Sequence, residues 1–499
     1  MSNNKQMTSQ TASSAGSPLF RQLAEQALAR SAGAPLVAGN RVDVLFDAEA
    51  NFAAWMAAIQ QANSVVLVEM YLFANDDFGR QLRDLLCRKA LAGVTVCLLY
   101  DWLGCWREHY RGFFKPLLQV GAQVRAWQAP SLTRGMRVLG RDHRKLIVVD
   151  GHTAFIGGLC ASSRWQDWRD TGLRLAGPLL SDAIAAFADS WAQCGSPLKL
   201  PPLPAPENHG NIAARLIATT PATANLMRLD LLIAGFARER LWLTDAYFMG
   251  TSAYLTALQH AARDGVDVRL LVPRASDIGW IATISRTQYR SLLEAGVRVF
   301  EWNGPMVHAK TAVADQRWAR IGSTNLNLSS WLANREIDLA IEDDGVAATM
   351  AQRFLQDLDN ATEIVLGGSR RRPVPSQEML RRSRLPLRQQ AVVSAAAAAR
   401  QAARIGVVLD SAVRGTRDVD DSEASAFLSI GLVLLLLAIA IAVFPYLAAL
   451  PLTLVLLLAA ASVLLRAWQL YRRRRRKKQH PPPRPAAAPP ARQPPDDAS

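Results

Sequence analysis

Histidine and cysteine are both scarce in this 499-residue chain, at 7 and 5 residues, and neither is spaced as a metal cage or a disulfide framework requires. Cys87, Cys97, Cys105, Cys160 and Cys194 are odd in number and sit mostly in apolar segments. They are expected as reduced, buried thiols of a cytosolic compartment. The first sixteen residues are largely Ser, Thr, Asn and Gln, with no basic flank leading into an apolar core. No signal peptide is therefore expected there, only a flexible leader. Acid is also in deficit: 42 Asp and Glu stand against 57 Lys and Arg, a formal charge of +15. That suits a phosphate-bearing partner, nucleic acid or anionic membrane alike. A hydrophobic share of 50% excludes a disordered or fibrous chain and supplies one large or two medium cores.

Long apolar runs are confined to the C-terminal region. Residues 426–446 carry no charge and are long enough to cross a hydrocarbon core of ~30 Å at ~1.5 Å per residue. A shorter run, 450–465, follows a break marked by Pro445 and Pro451, with Trp468 and Tyr471 placed for an interface. Arg400, Arg404, Arg414 and Arg417 precede the first run, and residues 472–478 read RRRRRKK. Basic flanks on both sides predict a helical hairpin over 426–468 with both ends cytoplasmic, that is, a multi-pass inner-membrane protein. The competing reading is a pair of buried core helices. Residues 469–499 form a basic, Pro-rich tail.

Between these ends the chain repeats itself. Val65 to Val68 run into Glu69 and Tyr71, and Leu241 to Leu243 run into Asp245 and Tyr247. Each predicted strand is followed by a helical stretch, a Gly (Gly93 or Gly265), a strand, another helix, a Gly (Gly121 or Gly296) and a third strand. A β-α-β-α-β order met twice predicts an α/β protein of two similar lobes, each a mixed sheet flanked by helices. Pro201, Pro202, Pro204 and Pro206 mark the joint. The expected division is a leader and short helix over 1–40, lobes over 41–200 and 207–366, a basic linker over 367–425, then the hairpin and tail. Residues 395–405 of the linker read equally well as an interfacial helix or a solvated one.

The chemistry falls at the same place in both lobes. His143, Lys145 and Asp150 (HRKLIVVD) match His308, Lys310 and Asp315 (HAKTAVAD). With so few histidines, two such matches at corresponding positions are a strong signal. Positions i and i+2 of a strand share a face, so each His projects with its Lys. Asp150 and Asp315, an odd number of residues away, are expected as structural supports at hairpin turns. Beyond each turn come small residues, including Gly158 in one copy and Ser323 with Asn325 in the other. These predict a close approach of phosphate to backbone, an ordinary tight turn being the alternative. Farther on stand Asp170 and Glu336, expected either to hold an imidazole in one tautomer or to pair with Arg169 and Arg335. If the lobes bring both motifs together, one imidazole can attack phosphorus while the other protonates the departing oxygen, with Lys145 and Lys310 stabilising the charge. Such a site needs no metal or other cofactor; a lysine beside each candidate ligand disfavours zinc.

The twin HxKxxxxD pattern, its GG and GSxN followers and the duplicated lobes resemble the phospholipase D superfamily over about residues 41–363. Glu69 to Phe73 with Asp77 and Gly79, HRKLIVVDG, FIGGL, WRDT and GSTN resemble its bacterial cardiolipin synthase branch. The resemblance implies a phosphatidyltransferase joining two phosphatidylglycerols through a phosphatidyl-histidine, with His143 as nucleophile and His308 as acid. One departure stands out: where the first lobe of that family shows GGxN, this chain has Cys160, with Ser162 or Ser163 as candidate substitutes. A phospholipase D-type hydrolase, a nuclease and a silent membrane scaffold remain as alternatives. Surplus cations around 370–388 and 472–478, on either side of the apolar hairpin, favour lipid over nucleic acid as partner. Trp102, Trp106, Trp127, Trp165, Trp168, Trp302 and Trp331 gather near the motifs, as core or as the lining of an acyl-chain entrance.

Overall fold

The computed structural model describes residues 18–129, 140–366 and 372–373. Seven strands recur in the same spatial order in each lobe. The first lobe comprises β1 (Val37–Phe46), β2 (Val65–Met70), β3 (Thr95–Asp101), β4 (Gln123–Trp127), β5 (Lys145–Val149), β6 (Thr153–Gly157) and β7 (Thr171–Ala176), arranged β1-β7-β6-β5-β2-β3-β4. The second comprises β8 (Ile212–Thr219), β9 (Arg240–Thr244), β10 (Asp267–Pro273), β11 (Arg298–Trp302), β12 (Thr311–Ala314), β13 (Trp318–Gly322) and β14 (Glu336–Glu342), arranged β8-β14-β13-β12-β9-β10-β11. Beyond β11 lie β15 (Ala361–Ile364) and the two-residue β16 (Arg372–Pro373). Both sheets are mixed: β2, β3 and β4 run parallel while β2 pairs antiparallel with β5, and β9, β10, β11 and β12 repeat the pattern.

The sequence alone does not reveal how the sheets meet. β1 pairs antiparallel with β8, so the two sheets continue into one sheet of sixteen strands. For the same reason the first lobe starts at Val37, paired with Ala214, rather than at Arg41. The helix Pro18–Ala32 belongs with the second lobe: Leu28 and Ala32 pack with Leu226 and Met227, and Arg215 donates to Glu25 at 2.5 Å.

Strand periodicity divides the interior into layers. Val65 and Leu67 of β2 and Leu146 and Val148 of β5 face a core shared with Ile337 and Leu339 of β14. Their neighbours Val66, Val68, Ile147 and Val149 face the outer layer of the first lobe, under the helices Asp47–Gln61 and Asp77–Leu91. A side-chain period of two places successive residues on opposite faces, and near-continuous apolar runs are what strands covered on both faces need. The shared core is filled by the helices Leu180–Gln193 and Asp344–Asp359, through Phe187, Trp191, Phe354 and Leu358. Truncating Leu67 to Ala would cost about 2–5 kcal/mol and loosen the strand that ends at the site.

Apart from Arg372 and Pro373, the expected linker, hairpin over 426–468 and tail lie outside the described residues. Among the described residues no helix is long and apolar enough to cross a membrane.

Candidate active site

Each HxK motif sits where a strand begins. β5 starts at Lys145 and β12 at Thr311, so the apolar residues after each Lys form a strand, as expected, and both histidines lie just ahead of it. These approach segments pair with the opposite lobe. The His143 N–H donates to the Arg335 carbonyl at 2.9 Å and the Arg335 N–H to that of Arg141 at 2.8 Å. Reciprocally, the His308 N–H donates to the Arg169 carbonyl at 2.7 Å and the Arg169 N–H to that of Met306 at 2.9 Å.

Because Arg335 precedes Glu336 and Arg169 precedes Asp170, these ladders deliver each carboxylate to the other lobe's imidazole. Nδ1 of His143 lies 3.0 and 2.9 Å from the two Glu336 oxygens; Nδ1 of His308 lies 2.7 Å from Asp170 Oδ2. An ionised carboxylate only accepts, so each Nδ1 carries the hydrogen and each Nε2 keeps its lone pair. The arginines are engaged elsewhere. Arg169 donates to Asp357 at 2.8 and 3.0 Å and to Asp47 at 3.3 Å, and Arg335 to Ser190 at 2.9 Å and to Asp189.

The carboxylates are further fixed. Ser323 Oγ donates to Glu336 at 2.6 Å and Asn334 Nδ2 at 3.2 Å; Trp165 Nε1 and the Thr171 N–H donate to Asp170 at 2.8 and 2.7 Å. Burial alone would raise both acids, but facing imidazole and lysine outweigh it and hold Asp170 and Glu336 below the usual range. Both imidazoles are shifted down by burial. In each case the facing carboxylate opposes the shift and the adjacent lysine adds to it, and for His308 the value falls to about 3. His308, at that value, is neutral at pH 7 while no anion is bound.

Lys145 Nζ donates to the His143 carbonyl at 2.6 Å. Lys310 Nζ donates to the His308 carbonyl and lies 2.9 Å from Nδ1 and 3.0 Å from Nε2 of that ring. Burial lowers both ammonium groups, Lys310 to about 8. Tyr71 and Tyr247 stand against them: their rings lie 4.9 and 5.7 Å from His143 and His308, and 5.4 and 5.7 Å from the two lysines. Their repetition at strand ends was visible in the sequence, but nothing there assigned them to the site.

A cleft of about 730 Å³ opens over this cluster, lined by His143, Lys145, Cys160, Trp168, His308 and Asn325 among others. Among the proposed phosphate contacts, Gly158 and Ser323 do not line it. A Cβ at Gly158 would come within 2.2 Å of Asp170, so that glycine makes room for the carboxylate, and the Ser323 hydroxyl is held by Glu336. Asn325 does line the cleft, with its buried Oδ1 lacking a partner among the described residues. Cys160 occupies the matching place in the first lobe. Ser162 and Ser163 do not replace it: Ser162 donates to Asp76 at 2.6 Å, and Ser163 accepts from the Phe78 N–H at 3.0 Å, both at the start of the helix Asp77–Leu91. Asp150 and Asp315 lie at the far ends of their strands. Asp150, at φ 52°, accepts from the N–H groups of Asn63, Ser64 and Val65, each at 2.8 Å; Asp315, at φ 51°, accepts from Arg238, Glu239 and Arg240. Of the seven tryptophans, Trp106, Trp165 and Trp168 line the cleft, while Trp127 and Trp331 are core.

Two buried imidazoles, with Nε2 of His143 not engaged by its lysine and Nε2 of His308 3.0 Å from Lys310, flanked by two ammonium groups, can seat a tetrahedral anion between them. A family model described as cardiolipin synthase, PLD-like domain, matches residues 55–182 and 234–358. The chain is 35% identical over 354 residues to cardiolipin synthase A of Pseudomonas entomophila (strain L48), covering 67% of this chain and 72% of that protein. It is 33% identical over 352 residues to cardiolipin synthase A of Pseudomonas aeruginosa (strain LESB58), covering 68% and 71%. Among solved structures, phosphatidylserine synthase from Haemophilus influenzae Rd KW20 matches with a TM-score of 0.50 at 16% identity, over 72% of this chain and 96% of that one; at that identity the likeness is one of fold.

Proposed function

The chain belongs to the cardiolipin synthase family of phospholipase D-like proteins and is a phosphatidyltransferase, and from that premise we propose that it joins two phosphatidylglycerols into cardiolipin with release of glycerol. The observation that carries this reading is the crossed pair of His–carboxylate contacts around one cleft, with a lysine at each imidazole. His143, whose Nε2 is not engaged by its lysine, attacks phosphorus. The bond to the first glycerol oxygen breaks, His308 supplies that oxygen's proton, and glycerol leaves with a phosphatidyl group on His143. The glycerol hydroxyl of a second phosphatidylglycerol then loses its proton to His308 and attacks phosphorus, freeing His143. Lys145, Lys310 and Asn325 hold the non-bridging oxygens.

In the empty site His308 is too weakly basic to hold a proton at pH 7. The phosphodiester anion offsets the Lys310 charge beside it, so substrate and proton arrive together. Because two ammonium groups take the place of a cation, turnover is expected to survive strong chelation. The hairpin over 426–468 anchors this unit to the inner membrane in the same reading, and cysteines introduced at Ser17 and Ser499 should both label from the cytoplasmic side. Purified protein incubated with labelled phosphatidylglycerol should yield cardiolipin and glycerol in equal amounts. Phosphatidic acid as the main product would instead make the enzyme a hydrolase.

A further inference from the structure

Exposed apolar side chains of the two lobes gather at one end of the sheet. β3 ends at Asp101 and β10 at Pro273, the ends nearest the cleft. Beyond β3 stand Leu103, Trp106 and Tyr110, and beyond β10 and β13 stand Ile278, Ile284 and Leu328, all of them exposed. Leu103, Trp106, Ile278 and Leu328 also line the cleft, so this apolar rim is continuous with the site. A rim contributed by both lobes around one opening differs from the single apolar residues common on any surface.

Three further observations say what covers it. First, about 730 Å³ suits one drug-sized ligand, far less than two phospholipids with four acyl chains, so the chains must stay outside the cleft. Second, the segment after β3 also exposes Arg107, Arg111 and Lys115, cations that anionic headgroups attract at ~1 kcal/mol each. Third, Trp106 and Tyr110 are the amphipathic aromatics that settle at headgroup depth.

We propose that the cleft rim is a membrane-docking surface, seated on an anionic phospholipid bilayer so that headgroups enter the cleft while acyl chains remain in the lipid. The inference rests on the phospholipid reading of the site and adds the face by which the enzyme meets its substrate. It also separates this rim from equally exposed apolar residues elsewhere. Tyr110 is 68% exposed and Leu91 71% exposed, but Leu91 ends the helix that leads into the start of β3, at the opposite end of the strand, on the order of 20 Å away at ~3.3 Å per residue.

The full chain, reconstituted into vesicles containing phosphatidylglycerol and carrying a photocrosslinking residue at position 110 or 91, tests this directly. Label should pass to lipid from position 110 and at least tenfold less from position 91, and should weaken in vesicles of phosphatidylcholine alone. Equal lipid labelling from both positions, or crosslinks from 110 to a second copy, would overturn the docking surface. A Tyr110→Ser/Ile284→Ser variant, at two rim residues outside the cleft lining, should turn over vesicle phosphatidylglycerol about tenfold more slowly. Its rate on a short-chain, monomerically dissolved phosphatidylglycerol should be unchanged; equal losses on both substrates would also overturn the docking role. A wild type inactive on both forms would refute the assigned reaction, and the crosslinking pattern alone would then support or overturn the rim.

Discussion

The two halves of the site are built to one plan and differ in their surroundings. His143 keeps 12% of its side chain exposed and meets a Glu336 held by Ser323 and Asn334; His308 keeps 5% and meets an Asp170 held by Trp165. Lys145 engages only the backbone of His143, whereas Lys310 lies against the His308 ring itself. Trp165 and Trp168 rings lie 5.1 and 5.4 Å from His308, while His143 has Tyr71. Burial and the adjacent like charge take His308 down to about 3, and the two imidazoles differ in their lysine contacts and neighbouring rings, so duplicated residues become chemically inequivalent. That inequivalence suits the proposed reaction, in which a twofold-repeated chain supplies a nucleophile on one side and an acid on the other.

The strongest way to break that asymmetry is to remove each imidazole. His143→Ala and His308→Ala should each lose roughly 10⁴-fold or more in turnover, but only His308→Ala, given a substrate with a good leaving group, should accumulate a phosphatidyl adduct. Mass spectrometry of the peptide spanning His143 should find it, and an adduct on His308 would reverse the assignment.

Next comes the lysine that touches its own imidazole. Lys310→Met should slow turnover about a hundredfold, the loss of ~3 kcal/mol of charge stabilisation. Its folded-state pKa of about 8 lies below the usual 10.5, so the buried ammonium costs stability at pH 7, and the cost fades only as pH rises from about 8 towards 10.5. Calorimetry at pH 7 should therefore show an unchanged or higher melting temperature in this slowed variant. A marked fall would mean the ammonium is structurally required.

The His308 imidazole sharpens the comparison through acid stability. Held neutral in the fold with a value of about 3 against 6.5 when unfolded, it contributes stability that is complete above pH 6.5 and is lost as pH falls towards 3. His308→Gln cannot take up that charge, so its melting temperature should fall less steeply over this window. The difference is at most about 1.4 kcal/mol per pH unit, and parallel slopes would contradict the assigned burial.

The smallest effect concerns the unmatched pair across the cleft. Cys160→Asn would place an amide donor opposite Asn325, where a buried thiol donates only weakly. Inhibition by inorganic phosphate should tighten a few-fold; weaker inhibition would show that the thiol's size, not its polarity, suits the site.

Much of this was legible in the chain. His143, Lys145, His308 and Lys310 are marked by a repeated spacing among few histidines, and the two lobes by repeated strand and Gly positions. The supporting carboxylates were visible as matched acids, but not which imidazole each would meet. Other parts were not legible. Ser323 sits in a run of small residues that reads as a phosphate cradle, yet its hydroxyl supports Glu336, and Gly158 in the same place makes room for Asp170. A side chain's donor capacity is written in the sequence; the acceptor that takes it is set by a strand 13 residues away.

The sequence by itself determined the local elements, because strand alternation, helix capping and turn residues act over a few positions. It also marked the groups proposed to react, because the chemistry of an imidazole beside a lysine is intrinsic to those side chains. Only the tertiary structure decided that Asp170 serves His308 and Glu336 serves His143. That crossing depends on backbone pairing between residues about 140–190 positions apart, contacts that carry no local pattern because they form only when the shared core brings the two lobes face to face.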